Sequence, residues 1–315
     1  MWLQSESCTN LKAKFVSNRE EFWKVIENSM INSDINSFEI NHISNLIIDL
    51  SNVEQDLSKG WQFLRKAILQ RISSIDTYGF TLICVGFSKV ISKDAELWAA
   101  LEKFACDNIN KFDIDEIRKM ILSFLKISDC KLIWKKIESR IADPEILKQI
   151  DFELFTDLQI PLAIFSLSNE QIWRKFEEQV FKNLKAFSSD TEILMNTLYS
   201  FSKVDRGSKL FWTKIIDFVQ NDISIYDVDD LGHIAMCIKP KHINLVNAGK
   251  NEKESNLAFW GKYKELVLEK LEKAKFNACN NLLKGVEDNE YLKEDKQFND
   301  AVSKRLDILV KEIPK

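Results

Sequence analysis

Lysine recurs in this 315-residue sequence at one kind of place, the end of a short apolar segment. FTLICVGFSK ends on Lys89, IRKMILSFLK on Lys126, ILMNTLYSFSK on Lys203 and LGHIAMCIK on Lys239, while LQIPLAIFSL has Leu167 there. Ser88, Ser166 and Ser202 stand beside these positions and offer hydroxyls. Ammonium groups at such intervals could hold the phosphates of a long polyanion, independently of its sequence and less tightly as salt rises. A local reading competes with this one. Lysine in the last turn of a helix complements the helix dipole by about 0.3–1 kcal/mol, with no ligand involved. The lysines at 24, 135 and 136 and the Arg174-Lys175 pair instead follow tryptophans and read as a solvated outer face.

No other pattern points to chemistry. The three histidines, 42, 233 and 242, form no HExxH, and no cysteine pair has zinc spacing. His233 falls in an apolar segment and reads as a hydrogen-bonded core or groove residue. There is no glycine-rich phosphate loop, nucleophile elbow or dinucleotide fingerprint, and the carboxylates are scattered over amphipathic faces. The expectation is a protein without catalytic residues, metal, cofactor or small-molecule substrate.

The elements that would carry the lysines follow from tryptophan. Trp23, Trp61, Trp98, Trp134, Trp173, Trp212 and Trp260 are separated by 38, 37, 36, 39, 39 and 48 residues. A period in that range marks an array of helix pairs, each unable to bury its apolar face alone. After each tryptophan, apolar residues continue at helical spacing: Ile137 and Ile141 after Trp134, Phe176 and Val180 after Trp173. This predicts a helix A with tryptophan in its first turns, then a helix B ending near each lysine.

Candidate N-caps for helix A are Ser17 with Glu20, Asp94, Ser128, Ser168 with Gln171, and Ser208. Those for helix B include Asp113 with Glu116 and Ser189 with Glu192. Pro144 reads as a helix terminator, and Pro161 predicts a late start or a kink in its helix B.

The expected fold is all-α: an α-solenoid, a right-handed superhelix of repeats of about 37 residues. Residues 1–16 are a lead-in, 17–240 an array of about six repeats, 241–256 a polar loop, and 257–315 a helical cap. Few glycines and prolines (8 and 4) argue against a β-rich fold, and a net charge of −4 gives no global signature of nucleic-acid binding. The six cysteines contain no CxxC and read as reduced thiols of a cytosol or organelle matrix. No apolar run is long enough to span a membrane. MWLQSESCTNLKAKF lacks an apolar signal core and, with glutamate and no arginine, fits a cleaved mitochondrial presequence poorly.

The helix pair, with Phe-Ser near the end of helix B and tryptophan shortly after, resembles the heptatricopeptide repeat. That is a helix pair of about 37 residues, related in style to octotricopeptide and pentatricopeptide arrays and often followed by a RAP domain. The matching residues are Phe87-Ser88, Phe165-Ser166 and Phe201-Ser202, with Leu50-Ser51 a weaker instance and Ser123-Phe124 reversed. The resemblance covers about residues 17–240, and 260–315 contains no RAP-like segment. It implies a mitochondrial protein that binds or stabilises RNA, ribosomal RNA above all, beside other subunits of a large complex such as a mitoribosome. A protein-only structural subunit of a respiratory or ATP synthase assembly is the alternative.

Overall fold

Aspartates 76, 113, 151, 190 and 227, spaced 37–39 residues apart, each accept a hydrogen bond from a backbone amide two or three residues ahead. Each thereby satisfies an orphan N–H at a helix start. The five helices they open are α4 (Thr77–Val90), α6 (Ile114–Phe124), α9 (Phe152–Ile164), α12 (Thr191–Lys203) and α14 (Val228–Cys237). With α2 (Ile40–Leu50) and α17 (Phe276–Glu287) these are the B helices. The A helices are α1 (21–31), α3 (Ser58–Arg71), α5 (Ala95–Asn108), α7 (Leu132–Ile141), α10 (Glu170–Lys182), α13 (Lys209–Asn221) and α16 (Glu252–Lys270). Short helices α8 (Pro144–Leu147), α11 (Ala186–Ser189), α15 (Pro240–Val246) and α18 (Glu290–Lys293) sit in connections, and α19 (Lys296–Glu312) comes last. This computed structural model describes residues 21–34, 38–53, 56–127, 130–247 and 251–312, and contains no strand among them.

The chain forms two units, one up to Arg140 and one from Ile141. In the first, α4 packs between α2 and α6; in the second, α12 packs between α9 and α14, and α14 against α17. These contacts are close. A β-carbon on Gly86 would come within 2.5 Å of the Ile47 side chain, and one on Gly285 within 2.8 Å of the Ala235 backbone. Small residues let helix backbones approach, and large ones would push the row apart.

Successive A helices are joined by side-chain ties keyed to tryptophan. The indole N–H of Trp98 donates to the Ile91 carbonyl (3.1 Å), Trp134 to Cys130 (2.9 Å), Trp173 to Leu167 (2.8 Å) and Trp212 to Arg206 (3.2 Å). Each clamps the loop that enters its own helix. The ring edges of three tryptophans meet a phenylalanine of the same hairpin: Trp61 with Phe87, Trp98 with Phe124, Trp173 with Phe201. Tryptophan thus supplies a large apolar body and one donor, which phenylalanine cannot.

Four residues after tryptophan, a charged side chain reaches the start of the next A helix. Glu27 accepts from the Gly60 amide (2.7 Å), Glu102 from Leu132 (2.7 Å) and Ile133 (3.1 Å), and Glu177 from the Ser208 amide (2.8 Å) and hydroxyl (2.6 Å). Arg65 and Lys264 do the converse, pairing with Asp94 and Asp295. Six or ten residues after tryptophan, a donor turns back to the carbonyl preceding a B-helix cap. Arg71 reaches Phe38 (2.7 Å), Arg140 Phe112 (3.0 Å), Gln179 Ile150 (3.0 Å) and Lys270 Tyr226 (2.5 Å).

The end of the chain continues this scheme. Trp260 is the ninth residue of α16 rather than third or fourth as in α3, α5, α7, α10 and α13, and its buried indole nitrogen has no partner among the described residues. The helix begins five or six residues earlier, about a turn and a half, which carries the indole away from the helix entry. α19 takes the seat of another helix A: Phe298 is buried near its start and Arg305 donates to the Ala274 carbonyl (3.0 Å). Helix, not loop, fills most of 241–256, as α15 and the first turn of α16, with His242 stacked on Trp212 at 3.7 Å between centroids.

The capping residues agree with expectation at Asp94, Ser208 and the Asp113–Glu116 box. Asn169 rather than Ser168 caps α10, and Asp190 rather than Ser189 caps α12. In both cases the amide-accepting side chain is one residue later than expected. Ser17, Glu20 and Ser128 lie outside the described residues. Pro144 follows α7 but also opens α8 at its first turn, where the missing N–H costs nothing. Pro161 sits inside α9, which starts early, at Phe152.

Candidate binding surface on the helix-B rows

Counting from the capping aspartate fixes which way each B residue faces. Eleven residues on, Phe87, Phe124, Leu162, Phe201 and Ile238 are all buried. Phe124 is therefore in register, although its Phe-Ser order is reversed, while Phe165 falls three residues late and is half-buried. Thirteen residues on come Lys89, Lys126, Ile164 and Lys203, all exposed. Lys239 is one residue out of this register and follows the end of α14. Leu167 is buried, so Ile164 holds the place between Lys126 and Lys203.

In the first unit, Lys89 donates to Asn52 Oδ1 at 2.8 Å, one repeat back, and Lys126 is exposed beside a cleft containing Lys93 and Glu102. Toward the start of these helices, Lys119 on α6 stands 6.0 Å from the ring centroid of Tyr78 on α4, and Tyr78 is 58% exposed. Val90 and Leu122 are also exposed. The outward stripe of α4 runs Tyr78, Leu82, Val85, Lys89, and that of α6 Asp115, Lys119, Leu122, with Lys126 in the turn just past its end. Lys119 and the Tyr78 ring thus face outward side by side near the start of the two helices, while Lys89 and Lys126 face outward at their far ends. Sequence reading missed Tyr78 and Lys119; the spacing from Asp76 and Asp113 carries the signal.

In the second unit the same stripe is acidic at its start. Glu153, Glu192 and Asp229 occupy the position of Tyr78. A cleft of about 330 Å³ crosses α9, α12 and α14, lined by Glu192, Asn196, Tyr199, Asp229, Asp230 and His233. Burial, with Asp227 beside it, raises the Asp230 carboxyl above its ordinary range. The His233 ring nitrogen Nδ1 lies 3.0 Å from the Asp229 carbonyl. Lys203 is exposed at the far end of α12, and Lys239 pairs with Asp288 at 2.8 Å.

The serines divide by geometry. Ser88 is buried and donates to the Val85 carbonyl (2.9 Å). Ser202 is half-buried. Ser166 is exposed with φ 55°, the left-handed residue that lets the Leu167 amide donate to the Leu162 carbonyl and close α9.

Trp98, Trp134, Trp173, Trp212 and Trp260 are buried to 2% exposure or less and Trp61 to 6%, while Trp23 is half-exposed. Cys84, Cys130, Cys237 and Cys279 are buried free thiols. Burial raises the pKa of Cys84, and that of Cys237 to about 12, which keeps both protonated and unreactive. Among the described residues, no group of three or more histidine, cysteine or carboxylate side chains is placed to hold a metal ion, and no helix is long and apolar enough to cross a membrane. Compared with known proteins, the chain matches no family model, and no curated protein matches it.

Proposed function

We propose that this protein is a non-catalytic helical-repeat subunit of a mitochondrial ribonucleoprotein, in the first instance a mitoribosome, and that it holds RNA on the helix-B face of residues 77–126. In this reading the helix pairs succeed one another as a right-handed α-solenoid, whose extended surface suits a long ligand. The observation that carries it is the outward row of α4 and α6, with Lys119 beside the exposed Tyr78 ring at one end and Lys89 and Lys126 at the other. Lysines would take phosphates, and an exposed ring flanked by a cation suits stacking of an unpaired base. The organelle and the ribosomal RNA come from the heptatricopeptide resemblance.

A protein-only structural subunit of a respiratory or ATP synthase assembly is the second reading. The acidic cleft at Glu192, Asp229 and Asp230 favours it, because that surface would repel phosphate and suit a basic polypeptide.

Binding of single-stranded RNA to the full chain across a salt series separates them. The RNA reading expects measurable affinity at low salt. Lys89→Ala, Lys119→Ala and Lys126→Ala together should lower the log–log salt slope by about 2, at roughly 0.7 per phosphate contact. No affinity at low salt, or a triple variant with an unchanged slope, would leave the protein-only reading standing.

A further inference from the structure

The backward ties from helix A to the carbonyl before a B-helix cap have a gap in the first unit. Arg71 and Arg140 make the tie on either side of it. Between them, in α5, the two available positions hold Phe104 and Asn108. Phe104 stacks on Phe80 with centroids 4.9 Å apart, and Asn108 donates to the Phe104 carbonyl (2.9 Å). The neighbouring lysines are also engaged on their own segment, Lys103 with Asp107 (2.7 Å) and Lys111 with Asn108 (2.9 Å). None of these side chains reaches the Ile75 carbonyl, which precedes the Asp76 cap. A cleft of about 650 Å³ stands in that place, with Ile72, Ile75, Asp76, Thr77, Ala100 and Phe104 on its walls.

We infer that this cleft is a seat for an arginine side chain carried by a protein partner. The same seat holds a guanidinium over a pre-cap carbonyl at Arg71 and Arg140 in this unit, and at Arg305 in the other. Ile72, Ile75, Ala100 and Phe104 offer an apolar floor for the methylene stem. The Ile75 carbonyl and the Asp76 carboxylate offer two acceptors for a planar fork; Asp76 uses Oδ1 for the Gly79 amide (2.7 Å), which leaves Oδ2. The cleft is larger than one side chain, so the arginine comes with flanking apolar residues of a peptide. This goes beyond the RNA reading and does not depend on it, since the seat is on the α5-facing side of the α4 opening and takes a cation, not a phosphate.

Amide resonances of the full chain, followed by NMR during titration with N-acetyl-arginine methylamide, test the seat. Arginine should give saturable shifts at Ile75, Thr77 and Gly79, and the uncharged citrulline analogue should give none. Asp76→Asn keeps the cap and removes the charge, and should weaken binding about tenfold. Phe104→Arg supplies a guanidinium from within the chain and should abolish the response, with unchanged shifts at Ile47, Phe124 and Ile137, elsewhere in the first unit, showing that the variant is folded. The inference is overturned by an absence of saturable shifts up to about 50 mM, by an equal response to N-acetyl-lysine methylamide, or by full affinity in Asp76→Asn.

Discussion

The two units are built with the same ties and present different faces. Indole-to-loop clamps, a charged residue four places after tryptophan and a donor to the pre-cap carbonyl occur on both sides of residue 140. The outward stripe of helix B does not repeat in that way. It carries Tyr78, Lys89, Lys119 and Lys126 with one acid, Asp115, in the first unit, and Glu153, Glu192 and Asp229 with one lysine, Lys203, in the second. Buried ties are constrained by hydrogen-bond geometry, because an unmet carbonyl under a tryptophan is costly. An outward residue has no such constraint and is open to whatever partner the surface meets. The difference therefore separates what holds the repeats together from what they offer.

The largest effect should come from the ties. Trp173→Phe removes the indole donor from the Leu167 carbonyl, for a loss of about 2–4 kcal/mol of stability, whereas Trp260→Phe removes only ring volume, about 1–2 kcal/mol. Denaturant unfolding of both variants checks this. Equal losses would break the view that the indole N–H matters wherever it has a loop carbonyl to meet.

A smaller effect is expected from exchanging the faces. Glu192→Lys with Asp229→Lys gives the second unit a cationic stripe, and should raise RNA affinity at low salt by about tenfold through added phosphate contacts. Titration of labelled RNA with wild type and variant reads this directly. An unchanged affinity would mean that the sign of the face does not govern binding.

The smallest effect concerns one ion pair. Hydrogen bonding from Arg65, opposed by burial, holds the Asp94 carboxyl below its ordinary value. Its folded-state pKa is depressed, so the stabilisation is present above the unfolded value near 3.9 and is lost as pH falls through the lower folded value. Asp94→Asn keeps a good cap and should cost about 1 kcal/mol at pH 7, with the difference from wild type fading below about pH 4. Thermal unfolding of both proteins across that range is the measurement. A difference that grew on acidification would show that the pair is not what Asp94 contributes.

Much of the local structure was legible in the residues. Trp98, Trp134, Trp173 and Trp212 mark the first turns of their helices as the period predicts, and Asp113 with Glu116 makes the expected capping box. The second helix of the final pair was hidden. FWGKYKELVLEKLEKAKF reads as one helix, but α16 ends at Lys270 and α17 starts at Phe276, with a 3-10 turn at Leu271–Lys273 and extended backbone at Ala274 between them. The lysine positions were readable, but their neighbours were not. Lys119 meets Tyr78 only because two B helices pack side by side, and no spacing along the chain states that distance.

By itself the sequence determined the all-helical character, the recurrence of the pair and most of its starts, since caps and apolar periodicity act over one or two turns. Tertiary structure decided which residues share a face and which are consumed by ties. Lys89 and Lys239 both close a helix-B segment, yet one lies in register on the outward stripe and the other past its helix end, paired with Asp288. The reason is geometric. A residue's direction depends on where its helix begins, and its partners depend on a helix from another repeat.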